Sequence, residues 1–258
     1  MQIDTSVVLI TGASRGLGRE IARLFAARGA RLILTARGAE ALEETAAALR
    51  RRGGPGGRPA EVLAVPGDVA DAEHAERLVW LGLTRFGRID VLVNNASTLG
   101  ESPMPRLEVL DPRVFEEIVR VNVTAPLRLI QLVLPQMKAR RSGVIINVTS
   151  DAGVEAYPGW GGYGISKAAL EHLTRVLAAE VEGTGVRAYI VDPGEMNTRM
   201  HQDAEPGVDL SHLPPPDVPA PAFVRLVEDE TSAFGRFAAQ RMTAVSRLAR
   251  DEQPDPIS

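Results

Sequence analysis

The chain has 258 residues, 45% of them hydrophobic and 24% charged, with a formal net charge of −4. That length suits one α/β domain with a real core, and the charge gives no reason to expect nucleic acid or an anionic membrane as partner. There are no cysteines, which excludes disulfides, thiolate catalysis and zinc–sulfur sites, and no metal site is expected.

Short β-branched runs alternate with longer helical patterns. The runs are 7–11, 31–35, 61–65, 90–93, 144–149 and 186–191; the helical segments lie near 16–28, 39–52, 71–86, 111–138 and 162–182. Near-continuous apolar strands of this kind are buried on both faces of a parallel sheet. The alternation predicts an α/β, doubly wound, Rossmann-like parallel sheet with helices on both faces, a single domain over 1–258. Gly29 carries a C-cap signal for the first helix, and Pro126 should kink or bend the long fourth segment. Residues 199–221 hold seven prolines or glycines with no periodicity, so they are expected to form a lid, a substrate-binding loop or a disordered stretch. Residues 251–258 are expected to be a flexible tail. The start of the chain has no basic region or cleavage signal, and no apolar run approaches the ~20 residues of a membrane span. A cytoplasmic location is the expectation.

Thr11-Gly12-Ala13-Ser14-Arg15-Gly16-Leu17-Gly18 follows the first strand and opens the first helix. Glycines allow a tight turn and a close approach of pyrophosphate, and the helix N-terminus offers N–H groups and a positive dipole end. The spacing is GxxxGxG. Placed after the first strand of a βαβ unit, it points to a dinucleotide. The second strand ends in Ala36-Arg37, where an NAD site wants an acidic residue for the ribose 2′-hydroxyl and an arginine suits a 2′-phosphate. With Arg15 as a second cation, NADP (as NADPH) is the expected cofactor.

Tyr163 and Lys167 lie four apart, with Ser150 thirteen residues upstream of the tyrosine. On a helix the phenol and ammonium share one face. A free phenol ionises near pH ~10, and a neighbouring cation lowers that value, so the pair can pass a proton near neutral pH. The chain has only two lysines and three tyrosines, which makes the spacing informative.

Together with Asp68-Val69, Asn94-Asn95-Ala96, Asn122 and Pro193-Gly194-x3-Thr198, these motifs resemble the short-chain dehydrogenase/reductase family over roughly residues 5–198. The resemblance implies that Tyr163 donates a proton to a substrate carbonyl and that Ser150 holds and polarises its oxygen. It implies that Lys167 lowers the tyrosine pKa and grips the nicotinamide ribose, and that Asn122 positions a water in a relay behind the lysine. Asp68 and Val69 are similar to the adenine contact, Asn95 and Ala96 border the adenine ribose, and Thr198 meets the nicotinamide carboxamide beside Pro193-Gly194. Gly12, Ser14, Arg15, Gly16, Leu17 and Gly18 become the phosphate cradle.

The chain departs from the family pattern at Ser97, where a glycine is customary, and at Phe234-Gly235-Arg236-Phe237, where many relatives end in an Asp-Gly-Gly-like turn. Between Ser150 and Tyr163, Asp151, Tyr157 and Trp160 are expected to border the substrate, with Glu195 and His201 at the start of the long loop; the lone histidine is given no catalytic role. The expected function is NADP-dependent reduction of a ketone or aldehyde. NADP-linked alcohol oxidation and non-catalytic dinucleotide sensing are the alternatives. By analogy, the helices near 111–138 and 162–182 pair copies into a homodimer or homotetramer.

Overall fold

The computed structural model describes residues 1–242, so the expected tail at 251–258 lies outside the described residues. Seven parallel strands run β1 Val7–Thr11, β2 Arg31–Thr35, β3 Val62–Ala64, β4 Val91–Asn94, β5 Gly143–Val148, β6 Val186–Asp192 and β7 Arg236–Ala238. Their order across the sheet is β3-β2-β1-β4-β5-β6-β7. The helices are α1 Gly16–Ala27, α2 Ala39–Arg52, α3 Ala72–Phe86, α4 Pro112–Val119, α5 Ala125–Ala139, α6 Gly161–Glu180, α7 Arg199–Ala204 and α8 Pro221–Glu228.

Alternate strand residues feed two separate cores because side chains in a strand point to opposite faces. Val8 and Ile10 of β1 pack with Phe25 of α1, Leu42 of α2 and Phe223 of α8. Val7 and Leu9 pack with Leu78 of α3, Val133 of α5 and Leu177 of α6 on the other face. Strands covered on both sides are buried throughout, as β1, β4 and β5 are, and so are largely apolar; the buried amides of Asn94 and Asn147 pair with each other at 2.8 Å. The strand order reverses between β1 and β4, the place beyond the strands' carboxyl ends where open α/β sheets bind their ligands.

The expected bend at Pro126 is a π-turn. Arg120–Thr124 separates α4 from α5, and the N–H of Ala125 bonds the carbonyl of Arg120. Pro126 cannot donate to the carbonyl of Asn122 four residues earlier, so the regular ladder cannot pass through this point. The stretch 199–221 is ordered: it contains α7, buries Leu210, and bonds back through Asn197 N–H to the Pro214 carbonyl at 2.9 Å.

Helical residues Pro112–Ala139 include a window of mean hydropathy 1.3, long and apolar enough to cross a membrane by length and composition. This corrects the expectation that no run approaches that length: a single charge such as Arg128 interrupts the run without lowering its average much. In the fold, Leu129, Ile130 and Val133 of that segment pack against the sheet.

Candidate active site

Three loops meet at the carboxyl ends of the central strands. The first is the glycine loop. Gly12 and Gly16 have φ of +65° and +54°, which favour glycine. A β-carbon on Gly18 would stand 2.4 Å from the Gly12 carbonyl oxygen and 2.6 Å from Asn95 Nδ2. No side chain caps the N-terminus of α1, so its first N–H groups have no side-chain acceptor from the cap.

The loop after β4 braces this cradle. Asn95 Nδ2 donates to the carbonyls of Thr11 (2.9 Å) and Gly12 (3.3 Å), while the Thr11 hydroxyl accepts the N–H groups of Asn95 and Ala96, both at 2.9 Å. The Asn95 side chain is therefore committed to holding the glycine loop. Ser97, whose β-carbon replaces a customary glycine, takes no positive φ; among the described residues only Arg141 is a non-glycine with one. Its hydroxyl donates to Asn122 Oδ1 at 3.1 Å.

Asn122 is 1% exposed and uses its whole amide. Nδ2 donates to the Thr98 carbonyl and to Ser166 Oγ, both at 2.9 Å; Oδ1 accepts from Thr98 N–H at 2.8 Å and from Ser97 Oγ. An amide offers two donors and about two acceptor positions, so this side chain has none left for a water. The Asn122 side chain is thus fully engaged in stapling the π-turn to α6.

Ser150, Tyr163 and Lys167 converge. Ser150 Oγ donates to Asp151 Oδ1 at 2.8 Å and accepts from Ala152 N–H at 3.2 Å. Tyr157 donates its hydroxyl to Asp151 Oδ2 at 2.9 Å. Burial pushes the Asp151 carboxyl up, but hydrogen bonds from Ser150, Tyr157 and Ala152 and the charge of Arg236 hold it below the usual range. Lys167, 3% exposed, donates to the Val148 carbonyl at 2.9 Å, and its Nζ lies 5.4 Å from the Tyr163 ring centroid. Burial brings the lysine down to about 8, opposed by the nearby Asp192.

The expected depression of the Tyr163 pKa is reversed in this site. Burial pushes the phenol up and Asp151 and Asp192 push the same way, which outweighs the contacts with the Ser150 and Ser97 hydroxyls. The ammonium is turned toward Val148, and desolvation outweighs what remains.

A cavity of about 190 Å³ lies beside this group, lined among others by Tyr157, Trp160, Glu195, Met196, Met200 and His201. Trp160 stands edge-on to both Tyr157 (5.9 Å) and Tyr163 (6.0 Å), an aromatic wall leading to the phenol. Pro193 and Gly194 line the same cavity, as does Thr198, whose hydroxyl accepts the His201 N–H at the start of α7. A β-carbon on Gly16 would meet Thr198 Cγ2 at 3.8 Å, so the loop after β6 closes on the glycine loop. Arg37, Asp68 and Val69 lie away from this cavity, beyond the ends of β2 and β3. Arg15 and Arg37 are exposed, and neither has an ion pair among the described residues. Asp68 accepts the Ala70 N–H at 2.9 Å. Ser14 meets Thr45 through its carbonyl at 3.1 Å, and Leu17 is buried beneath the loop.

These features fit a dinucleotide: a cradle that a β-carbon would fill, an uncapped helix end, two exposed cations at one end, and a proton-bearing pair at the other. The short chain dehydrogenase family model matches residues 6–209. The chain belongs to that family. It is 36% identical over 202 residues to an uncharacterised oxidoreductase of Listeria monocytogenes, covering 78% of each chain. It is 38% identical over 196 residues, 76% of each chain, to the 2-(R)-hydroxypropyl-CoM dehydrogenase of Xanthobacter autotrophicus. A short chain dehydrogenase of Shigella flexneri solved with NADP superposes with a TM-score of 0.81 at 29% identity, covering 91% of this chain and 97% of the other.

As a short chain dehydrogenase the protein is an oxidoreductase of the hydride-transferring kind. Several contributors to its site are not marked by the sequence pattern. Thr11 stood in the glycine motif without a role, although a hydroxyl at a strand end beside a loop is a signal for such a clamp. Ser166 is the hydroxyl between Asn122 and α6, and Met196, Met200 and Glu205 line the cavity. Nothing in the spacing singles them out.

Proposed function

We propose that the protein is an NADPH-dependent reductase of a ketone or aldehyde with Tyr163 as general acid. The observation that carries this reading is that Ser150 and Tyr163 line a cavity that Thr198 and Gly194 share, with Lys167 Nζ 5.4 Å from the Tyr163 ring centroid behind them. When bound, the nicotinamide supplies the hydride. Tyr163 holds the proton for the substrate oxygen, and its raised pKa keeps it protonated for that task. Lys167 has one N–H on Val148 and two more to offer ribose hydroxyls. Arg15 and Arg37 would hold the 2′-phosphate that distinguishes NADP, and NADP in the Shigella relative supports that preference. Exposed Leu127 of α5 and Ile165 and Val176 of α6 support pairing of copies through those helices.

One observation favours the oxidative direction as a second reading. With its proton on Asp151, Ser150 Oγ presents a lone pair to the cavity, which suits the hydroxyl of an alcohol better than a carbonyl. Consumption of NADPH with a panel of ketones and aldehydes, and of NADP⁺ with the matching alcohols, tests both. Tight cofactor binding with no turnover on either panel would make the protein a dinucleotide sensor.

A further inference from the structure

Arg236 opens β7 at the sheet edge, yet its guanidinium reaches back beneath the catalytic pair. Nη2 donates to Asp192 Oδ2 at 3.0 Å and to the Ser150 carbonyl at 3.1 Å, and Nε donates to Glu171 Oε1 at 2.9 Å. The three partners come from three parts of the site. Ser150 follows β5. Asp192 ends β6, and its other oxygen accepts the N–H of Gly194 at 2.8 Å in the turn that leads to Thr198. Glu171 lies one helical turn beyond Lys167 on α6 and also accepts from Thr149 Oγ1 (2.9 Å) and Arg175 (3.0 Å).

Asp192 and Glu171 are 9% and 2% exposed, and a buried carboxylate without a cation is strongly unfavourable. Glu171 has two arginines. Asp192 has Arg236 as its one ion-pair partner among the described residues. Asp192 is also the carboxylate whose field keeps protons on both Tyr163 and Lys167. The other charged groups facing the pair are Asp151 beside Ser150, and Glu195, Glu205 and His201 on the cavity wall.

We propose that Arg236 is a positioning residue: it ties the Ser150 loop to the Asp192–Gly194 turn and neutralises Asp192, thereby setting the acid–base balance of Tyr163 and Lys167. The idea rests on the reading of that pair as the proton-transfer machinery.

With only two lysines in the chain, Lys167 can be followed by NMR on protein labelled isotopically at lysine Cε, with Lys138 as internal reference. In the wild type Lys167 should titrate near 8. Arg236→Met leaves Asp192 uncompensated and should raise that midpoint by about half a pH unit or more. Arg236→Gln keeps hydrogen-bonding capacity but loses the charge, and should move it the same way. Adding Asp192→Asn to either variant should bring the midpoint back to the wild-type value or below. A Lys167 midpoint that is unchanged or lowered in Arg236→Gln or Arg236→Met, with Lys138 unmoved, overturns the proposal; if Arg236→Met does not fold, Arg236→Gln decides. The titration needs no substrate. Its failure is therefore distinct from failure of the reductase reading, which turnover alone decides.

Discussion

The ammonium of Lys167 donates to the main-chain carbonyl of Val148 at 2.9 Å, tying α6 to the strand that leads into Ser150. This contact draws the charge toward the backbone and leaves Tyr163 to burial and two carboxylates, which all push its pKa up. The lysine is held charged in a place that disfavours charge, and this has a consequence for stability.

Lys167 has a folded-state pKa of about 8 against an ordinary 10.5. The folded state thus binds fewer protons than the unfolded state between those values, so stability rises with pH through that window. At pH 7 the group is expected to destabilise the fold by an amount on the order of 3 kcal/mol, because each pH unit between the folded and unfolded midpoints is worth ~1.4 kcal/mol. Lys167→Met should be more stable than wild type at pH 7, and the gap should shrink toward pH 10. Urea denaturation at the two pH values checks this. A gap that stays constant or widens would contradict the assignment.

Asn122→Ala removes an amide with four hydrogen bonds and takes a partner from the Thr98 N–H, the Thr98 carbonyl and the Ser97 hydroxyl, while Ser166 keeps its bond to the Tyr163 carbonyl. The loss should be about 2–3 kcal/mol of unfolding free energy, the usual penalty for buried groups left unpaired. Unchanged stability by denaturant titration would show that these bonds are not maintained in solution.

Gly18→Ala forces a β-carbon toward the Gly12 carbonyl and Asn95 Nδ2. The cradle must shift. NADPH affinity should fall by about tenfold or more, ~1.4 kcal/mol, while the fold survives. Fluorescence titration with NADPH measures it, and unaltered affinity would remove the loop from the cofactor site.

Arg37→Asp should lower the preference for NADPH over NADH, because a carboxylate repels a 2′-phosphate and accepts from a 2′-hydroxyl. The preference for NADPH over NADH, taken from the two dissociation constants, is expected to move in NADH's favour by roughly tenfold or more. An unchanged preference would place the phosphate elsewhere.

The fold was legible because both of its signals are local. Strands buried on two faces are largely apolar, and 7–11 and 144–149 read that way without reference to the rest of the chain, with Thr11, Asn147 and Thr149 as their polar positions. The glycine loop and the Tyr163–Lys167 spacing are local too. What escaped depends on contacts between distant elements. Asn122 looks like any polar helix residue until Ser97, Thr98 and Ser166 arrive from two other segments. Arg236 is one of 27 arginines, and only the parallel pairing of β7 with β6 brings it under Ser150. The direction of the Tyr163 pKa failed for a related reason: the i,i+4 rule places Lys167 beside the phenol but says nothing of where the ammonium points or how dry the site is.

The central claim is that Tyr163 gives the proton that accompanies hydride transfer. Its most direct test compares wild type and Tyr163→Phe for NADPH oxidation over a panel of ketones and aldehydes, with NADPH affinity measured in parallel. The account predicts turnover by the wild type and a fall of at least ~10²-fold in the variant, the range for loss of a general acid, with NADPH binding largely intact. Turnover retained in Tyr163→Phe would contradict it.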